Sequence, residues 1–129
     1  MKLIFATKNS GKTRELSKAL EETEFKVESL INQRTEAAPE TGSSFLENAL
    51  IKCKSVAETT GTPTIADDSG LVVPALNGRP GIYSARYSGP EACDEENIQT
   101  LIQEMRSISD CRAYFFCCLV FMISSDDPF

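Results

Sequence analysis

Histidine is absent from the chain. That removes Ser-His-Asp and Cys-His nucleophilic catalysis from consideration. Cysteine occurs five times, an odd number, with Cys117 and Cys118 adjacent and no C-x-x-C spacing. Without a ligand pattern or an even framework, the expectation is free, mostly buried thiols in a reducing cytosol, not zinc or disulfides. No apolar run is long enough to cross a bilayer as a helix: the longest is Ala113 to Ile123. The opening Met1-Lys2-Leu3-Ile4-Phe5-Ala6 is too short for the apolar region of a signal peptide. Repeats, low-complexity tracts and an internal linker are also missing. Positive charge is in deficit, with 13 Lys and Arg against 19 Asp and Glu, a net of −6. Such a chain is a poor generic binder of nucleic acid or anionic membrane.

What is present fits one domain: 129 residues, 41% of them hydrophobic. Lys2 to Ala6 reads as a buried strand, Thr7 to Gly11 as a loop, and Lys12 to Glu22 as a helix with Leu16, Ala19 and Leu20 inward. Phe25 to Leu30 alternates as a half-exposed strand does, and Asn32 to Gly42 reads as a loop. Ser44 with Glu47 is a capping box opening a helix to about Thr60. That helix has one stripe of Leu46, Leu50, Cys53 and Ala57 and a second of Phe45, Ala49 and Val56 with Lys52 among them, and Gly61 and Pro63 end it. Thr64–Ala66 and Leu71–Leu76 read as short strands on either side of a break, and Asn77-Gly78 as a turn. Pro90 and the acids from Glu91 to Glu96 mark a helix start, with Ile98, Leu101, Ile102 and Met105 as its buried face. The run Ala113–Ile123 reads as a strand buried on both faces. Strands alternating with helices predict an α/β fold around a mixed sheet.

Four features carry chemistry. The strand, the loop Thr7-Lys8-Asn9-Ser10-Gly11-Lys12 and the following helix could cradle phosphate on backbone N–H groups and lysine, or be an ordinary connection with a solvated lysine. Lys2, Lys8, Lys12, Arg14 and Lys18 crowd this region despite the acidic total. The stretch nearly spells a P-loop, but Ala6 stands where that loop needs glycine, and no apolar strand ending in aspartate follows. Asp67-Asp68-Ser69-Gly70 is either an Asx turn or a pair of carboxylates that repel unless a cation or proton lies between them. With Glu40 it could give the two or three oxygens that proteins contribute to Mg²⁺. Lys52 either lays its stem along the core with its amine in water or holds an ammonium toward a phosphate. Arg86 is a structural ion pair or a substrate contact.

Together these stretches resemble the Ham1-like nucleoside triphosphate pyrophosphatases. The matching segments are Ala6 to Lys12 with Glu15; Glu40-Thr41-Gly42 with Phe45 and Glu47 to Lys52; Ala66 to Leu71; and Gly78 to Gly89. The resemblance implies an α/β fold of Ham1/Maf type, with a mixed central sheet and flanking helices. It also implies Mg²⁺-dependent hydrolysis of inosine and xanthosine triphosphates to monophosphate and pyrophosphate. By that likeness Thr7, Lys8, Asn9, Ser10, Gly11, Lys12, Lys52 and Ser69 would hold substrate. Glu40 and Asp68 would hold the metal, Asp68 would also accept the proton of the attacking water, and Asp67 would orient its neighbour. A cytoplasmic homodimer acting on nucleotides, not on nucleic acid or membrane, is expected. The family's later Gly-Phe-Gly-Tyr-Asp-Pro-like and Ser-His-Arg motifs have no counterpart here, so a single domain over residues 1–129, incomplete at its C-terminus, is expected. Two other readings stand beside this one: a non-catalytic nucleotide- or pyrophosphate-binding remnant that self-associates, and a P-loop NTPase.

Overall fold

The computed structural model describes residues 1–31 and 36–127. Asn32, Gln33, Arg34 and Thr35 of the expected loop, and Pro128 and Phe129, lie outside the described residues. The elements in chain order are β1 (Lys2–Phe5), α1 (Ser10–Ala19), β2 (Lys26–Glu28), α2 (Phe45–Thr60), β3 (Thr64–Val72), α3 (Asp94–Met105) and β4 (Tyr114–Met122). Two short 3-10 stretches, Pro74–Leu76 and Gly81–Arg86, lie between β3 and α3. One sheet runs in the order β2-β1-β3-β4. The expected architecture of a central sheet with helices is therefore what the chain adopts.

The chain divides into two compact units, Met1–Asp68 with Cys118–Phe129, and Ser69–Cys117. In the first, β1 pairs in parallel with β2 (Leu3 opposite Val27) and with β3 (Ile4 opposite Thr64). Parallel neighbours on both sides explain why Leu3, Ile4 and Phe5 are all buried, giving an unbroken apolar run instead of alternation. Ile4, Ala49, Cys53, Val56, Ala66, Val120 and Met122 form the core. Ile4 and Val56 are wholly excluded from solvent, so truncating Ile4 to alanine is in the class that costs ~2–5 kcal/mol. α2 begins at Ser44, whose hydroxyl accepts the Glu47 N–H at 3.1 Å. The other half of the expected capping box is displaced by one residue: Glu47 reaches back to the N–H and hydroxyl of Ser43. Gly61 closes the helix in the left-handed conformation, φ 62°.

The second unit is held by side chains as much as by its elements. Asn77 and Gly78 both take positive φ, as the turn reading required. Asn97 of α3 is buried; its Nδ2 donates to the Ala85 carbonyl at 3.0 Å, and its Oδ1 accepts from the N–H of Ser88 at 2.9 Å and its hydroxyl at 3.1 Å. Tyr87 donates to Glu104 Oε2 at 2.6 Å, and Arg79 approaches the same oxygen at 3.4 Å.

Several expectations are corrected. β3 is one continuous strand, so the carboxylates lie inside a strand and not at a glycine break: Gly70 is a buried strand position. Leu46 is 45% exposed, and Asn48 joins the buried stripe of α2 instead. Ala19 is exposed on α1. Ile98 and Ile102 are exposed on α3, where Asn97 is the buried residue. β4 is not buried on both faces: only Val120 and Met122 along it are buried, while Phe115 is 84% and Leu119 58% exposed. An edge strand among the described residues needs only one covered face, and unbroken apolarity does not distinguish it from a central one. The thiols are not mostly buried either. Cys53 alone is buried, Cys118 is intermediate, and Cys93, Cys111 and Cys117 are exposed.

Candidate functional site

The connection from β1 to α1 is shorter than expected. Ser10, Gly11 and Lys12 form the first turn of α1, because Asn9 caps it: Asn9 Oδ1 accepts the Lys12 N–H at 3.1 Å. Thr7 braces the cap by accepting the Asn9 N–H at 3.1 Å, and its carbonyl accepts from Leu30 at 2.9 Å. Ser10 and Gly11 therefore head a helix at its positive end, where anions are favoured. The two lysines diverge. Lys8 lies at the surface, 2.8 Å from Glu36, whereas Lys12 places Nζ 2.7 Å from Asp67 Oδ2.

Successive side chains of a strand point to opposite faces, and this separates the adjacent aspartates. Asp67 meets Lys12 of α1; Asp68 meets Asn48 of α2, whose Nδ2 donates to Asp68 Oδ2 at 3.3 Å. The pleat thus gives the two neighbouring carboxylates different partners. Asp67 is buried, and its Oδ1 has no hydrogen-bond partner. Asp68 is buried too. Burial pushes its carboxyl above the usual aspartate value, the nearby Glu40 carboxylate adds to this, the Asn48 hydrogen bond and the Lys52 charge oppose it, and Asp67 adds least. The carboxylate that matters electrostatically to Asp68 is therefore Glu40.

Glu40 stands in the loop ahead of α2, with Oε1 3.0 Å from Lys52 Nζ. Lys52 does not keep its amine in open water: only 14% of its side chain is exposed, and it faces a carboxylate. A cleft of about 340 Å³ is lined by Ala6, Thr7, Lys8, Leu30, Glu36, Ala37, Glu40 and Lys52. The structure thereby gathers Thr7, Lys8, Glu40 and Lys52 around one opening, with Asp68 within electrostatic reach of Glu40 and Lys52. Asn9, Ser10 and Gly11 form the adjoining helix start. Lys12 is directed to Asp67, and Ser69 is exposed at the start of the second unit. Arg86, in that second unit, lies 5.1 Å from the centre of the Tyr83 ring.

Among the described residues, no group of three or more histidine, cysteine, aspartate or glutamate side chains is gathered for a metal. Glu40 and Asp68 are the two carboxylates here that could hold a cation. Their mutual repulsion and hard oxygen donors suit Mg²⁺, which commonly takes one or two carboxylates and completes its shell with water and phosphate. One residue of the arrangement escaped sequence reasoning. Asn48 is fully buried and touches both Asp68 and the backbone of the Glu40 loop. The available signals were its place within the matching segment Glu47 to Lys52 and an amide on the inner side of an amphipathic helix.

Comparison with known proteins was consistent. The model of the Ham1 family matches residues 3–129. A dITP/XTP pyrophosphatase of Yersinia pestis is 46% identical over 129 residues, covering 98% of this chain and 66% of that protein. One from Vibrio cholerae is 47% identical, covering 98% of this chain and 64% of its own length. A HAM1 protein from Coxiella burnetii superposes with a TM-score of 0.91 at 37% identity, over 100% of this chain and 66% of that one. The chain thus spans slightly under two thirds of the length of these relatives. Among the described residues, no helix is long and apolar enough to cross a membrane.

Proposed function

This chain belongs to the Ham1 family, and on that footing we propose that it serves the hydrolysis of noncanonical purine nucleoside triphosphates such as dITP, ITP and XTP to the monophosphate and pyrophosphate. The observation that carries the reading is the cleft where Thr7, Lys8, Glu40 and Lys52 meet, with Asp68 beside it. Ser10 and Gly11 at the head of α1, together with Lys8, Lys12 and Lys52, supply the positive field that a polyphosphate requires. Ser69 is a further substrate contact in this proposal.

Glu40 and Asp68 would hold Mg²⁺, which when bound neutralises phosphate oxygens as negative charge moves onto the leaving pyrophosphate. Asp68 takes the proton of the attacking water. The water oxygen bonds to the α-phosphorus, the bond from that phosphorus to the bridging oxygen breaks, and pyrophosphate departs with the electron pair. In the metal-free chain, burial and the Glu40 carboxylate raise the affinity of Asp68 for a proton. Asp67 acts on the opposite face of β3 by holding Lys12.

The test is pyrophosphate release from dITP with Mg²⁺, wild type against Asp68→Asn. Monophosphate and pyrophosphate in equal amounts, with the variant slowed about 100-fold or more, is the expected result. Release of a nucleoside diphosphate, or an unchanged rate in the variant, would overturn it.

A second reading concerns assembly. The exposed apolar side chains of β4, among them Phe115 and Leu119, favour self-association along that strand. A homodimer in the cytoplasm, where all five thiols stay reduced, is the proposed state. Light scattering after size exclusion tests it: a dimer is expected, and a monomer at 100 μM, roughly a hundredfold above a typical micromolar dissociation constant, would refute it.

A further inference from the structure

Asn48 is 0% exposed, on the inner face of α2. A primary amide buried there is costly unless its polar atoms are satisfied. Its Oδ1 accepts the Gly42 N–H at 2.8 Å, and its Nδ2 donates to Asp68 Oδ2 at 3.3 Å. The orientation of the amide follows from chemistry. A backbone N–H can only donate, so the atom facing Gly42 must be the oxygen, and the NH₂ must then face Asp68. One rigid planar group thus ties a loop backbone two residues from Glu40 to the carboxylate of Asp68.

The loop side of the contact is built for this approach. A Cβ on Gly42 would stand 2.8 Å from Asn48 Oδ1 and 2.7 Å from Glu47 Cβ. Only a residue without a side chain lets the backbone come close enough to bond the amide.

We infer that Asn48 is a positioning residue for both carboxylates of the site: its amide N–H fixes the rotation of the Asp68 carboxylate, and its amide oxygen holds the loop that carries Glu40. This rests on the reading of Glu40 and Asp68 as the cation-holding pair. It goes beyond that reading by naming what sets their separation. Mg²⁺ tolerates little departure from its preferred geometry, so a fixed separation has a direct consequence for affinity. Groups that orient metal-holding side chains typically carry 10–100-fold in metal affinity or activity.

Two measurements test it on the chain itself. The first is Mn²⁺ binding without nucleotide, read by electron paramagnetic resonance, for wild type, Asn48→Ala and Asn48→Ser. The serine hydroxyl is too short to reach both partners, so it serves where the alanine variant does not fold. Affinity is expected to fall at least 10-fold in a variant whose circular dichroism matches wild type, and a change under twofold would overturn the inference. The second is the side-chain amide signal of Asn48 in ¹⁵N–¹H spectra of the metal-free protein, with and without Asp68→Ala. It should shift and lose protection from exchange when the carboxylate is removed; an unmoved signal refutes the contact. If wild type binds no Mn²⁺ while the amide signal responds to Asp68→Ala, the metal reading fails and the positioning of Asp68 stands.

Discussion

Replacing Lys12 by methionine keeps the length and apolar stem of the side chain and deletes its charge. Asp67 would then be a carboxylate, 4% exposed, with neither oxygen partnered, since Oδ1 already lacks a partner and Oδ2 loses its ammonium at 2.7 Å. Breaking a buried pair from one side costs about 3–5 kcal/mol. The Lys12 side chain is 39% exposed, so water reaches the vacated position and the expected loss is nearer ~2 kcal/mol. In a chain of this length that lowers the melting temperature by roughly 6–10 °C. Asp67→Asn should be milder, under about 1 kcal/mol, because the released lysine regains water and no buried charge remains. The double variant should recover most of the loss seen with Lys12→Met alone. Urea denaturation followed by circular dichroism measures all four proteins. If Lys12→Met is no worse than Asp67→Asn, or if the two losses simply add, the pair is not coupled and the account of Asp67 is wrong. The practical corollary is that a phosphate-binding role for Lys12 is best measured against an Asp67→Asn background, where loss of stability does not masquerade as loss of substrate contact.

Other outcomes follow from the same geometry. Asp68 has its proton affinity raised by folding, so the stability it contributes is complete below the unfolded aspartate value and is lost as pH rises through the folded one. Asp68→Asn should therefore raise the melting temperature of the metal-free protein at pH 7, and the gain should vanish at pH 3. Gly42→Ala should destabilise by roughly 1–3 kcal/mol through overpacking against Glu47 and Asn48, readable in the same denaturation curves. Asn97→Ala removes a side chain with three hydrogen bonds in the second unit and should cost about 2–3 kcal/mol. Burial pushes the Cys53 thiol up to about 11, so at pH 8 a thiol reagent should modify Cys93 and Cys111 within minutes and reach Cys53 only on unfolding.

Local chemistry was legible in the sequence where a residue has one dominant conformational use. Ser44 as a helix cap, Gly61 as a helix stop and Asn77-Gly78 as a turn all function as their types suggest. The strand-loop-helix carrying Thr7 and Lys8, and the placing of Glu40 and Lys52 near it, could also be anticipated. What failed depended on partners distant in sequence. Ser69-Gly70 looks like a break because serine and glycine favour turns, yet pairing within the sheet keeps β3 continuous. The pleat then divides two aspartates that stand side by side in the chain. β4 looks central because it is apolar throughout, but burial depends on neighbours that composition does not reveal. Asn48 went unnoticed as a functional residue because an amide gives a weak signal until both of its partners are located.

The distribution of thiols offers an experimental handle. Cys93, Cys111 and Cys117, the solvent-facing sulfurs, all belong to the Ser69–Cys117 unit, whereas the unit holding the cleft has only Cys53, sealed in its interior, and the half-covered Cys118. A maleimide dye or spin probe would therefore attach chiefly within the Ser69–Cys117 unit and spare Cys53, without first engineering a cysteine-free background.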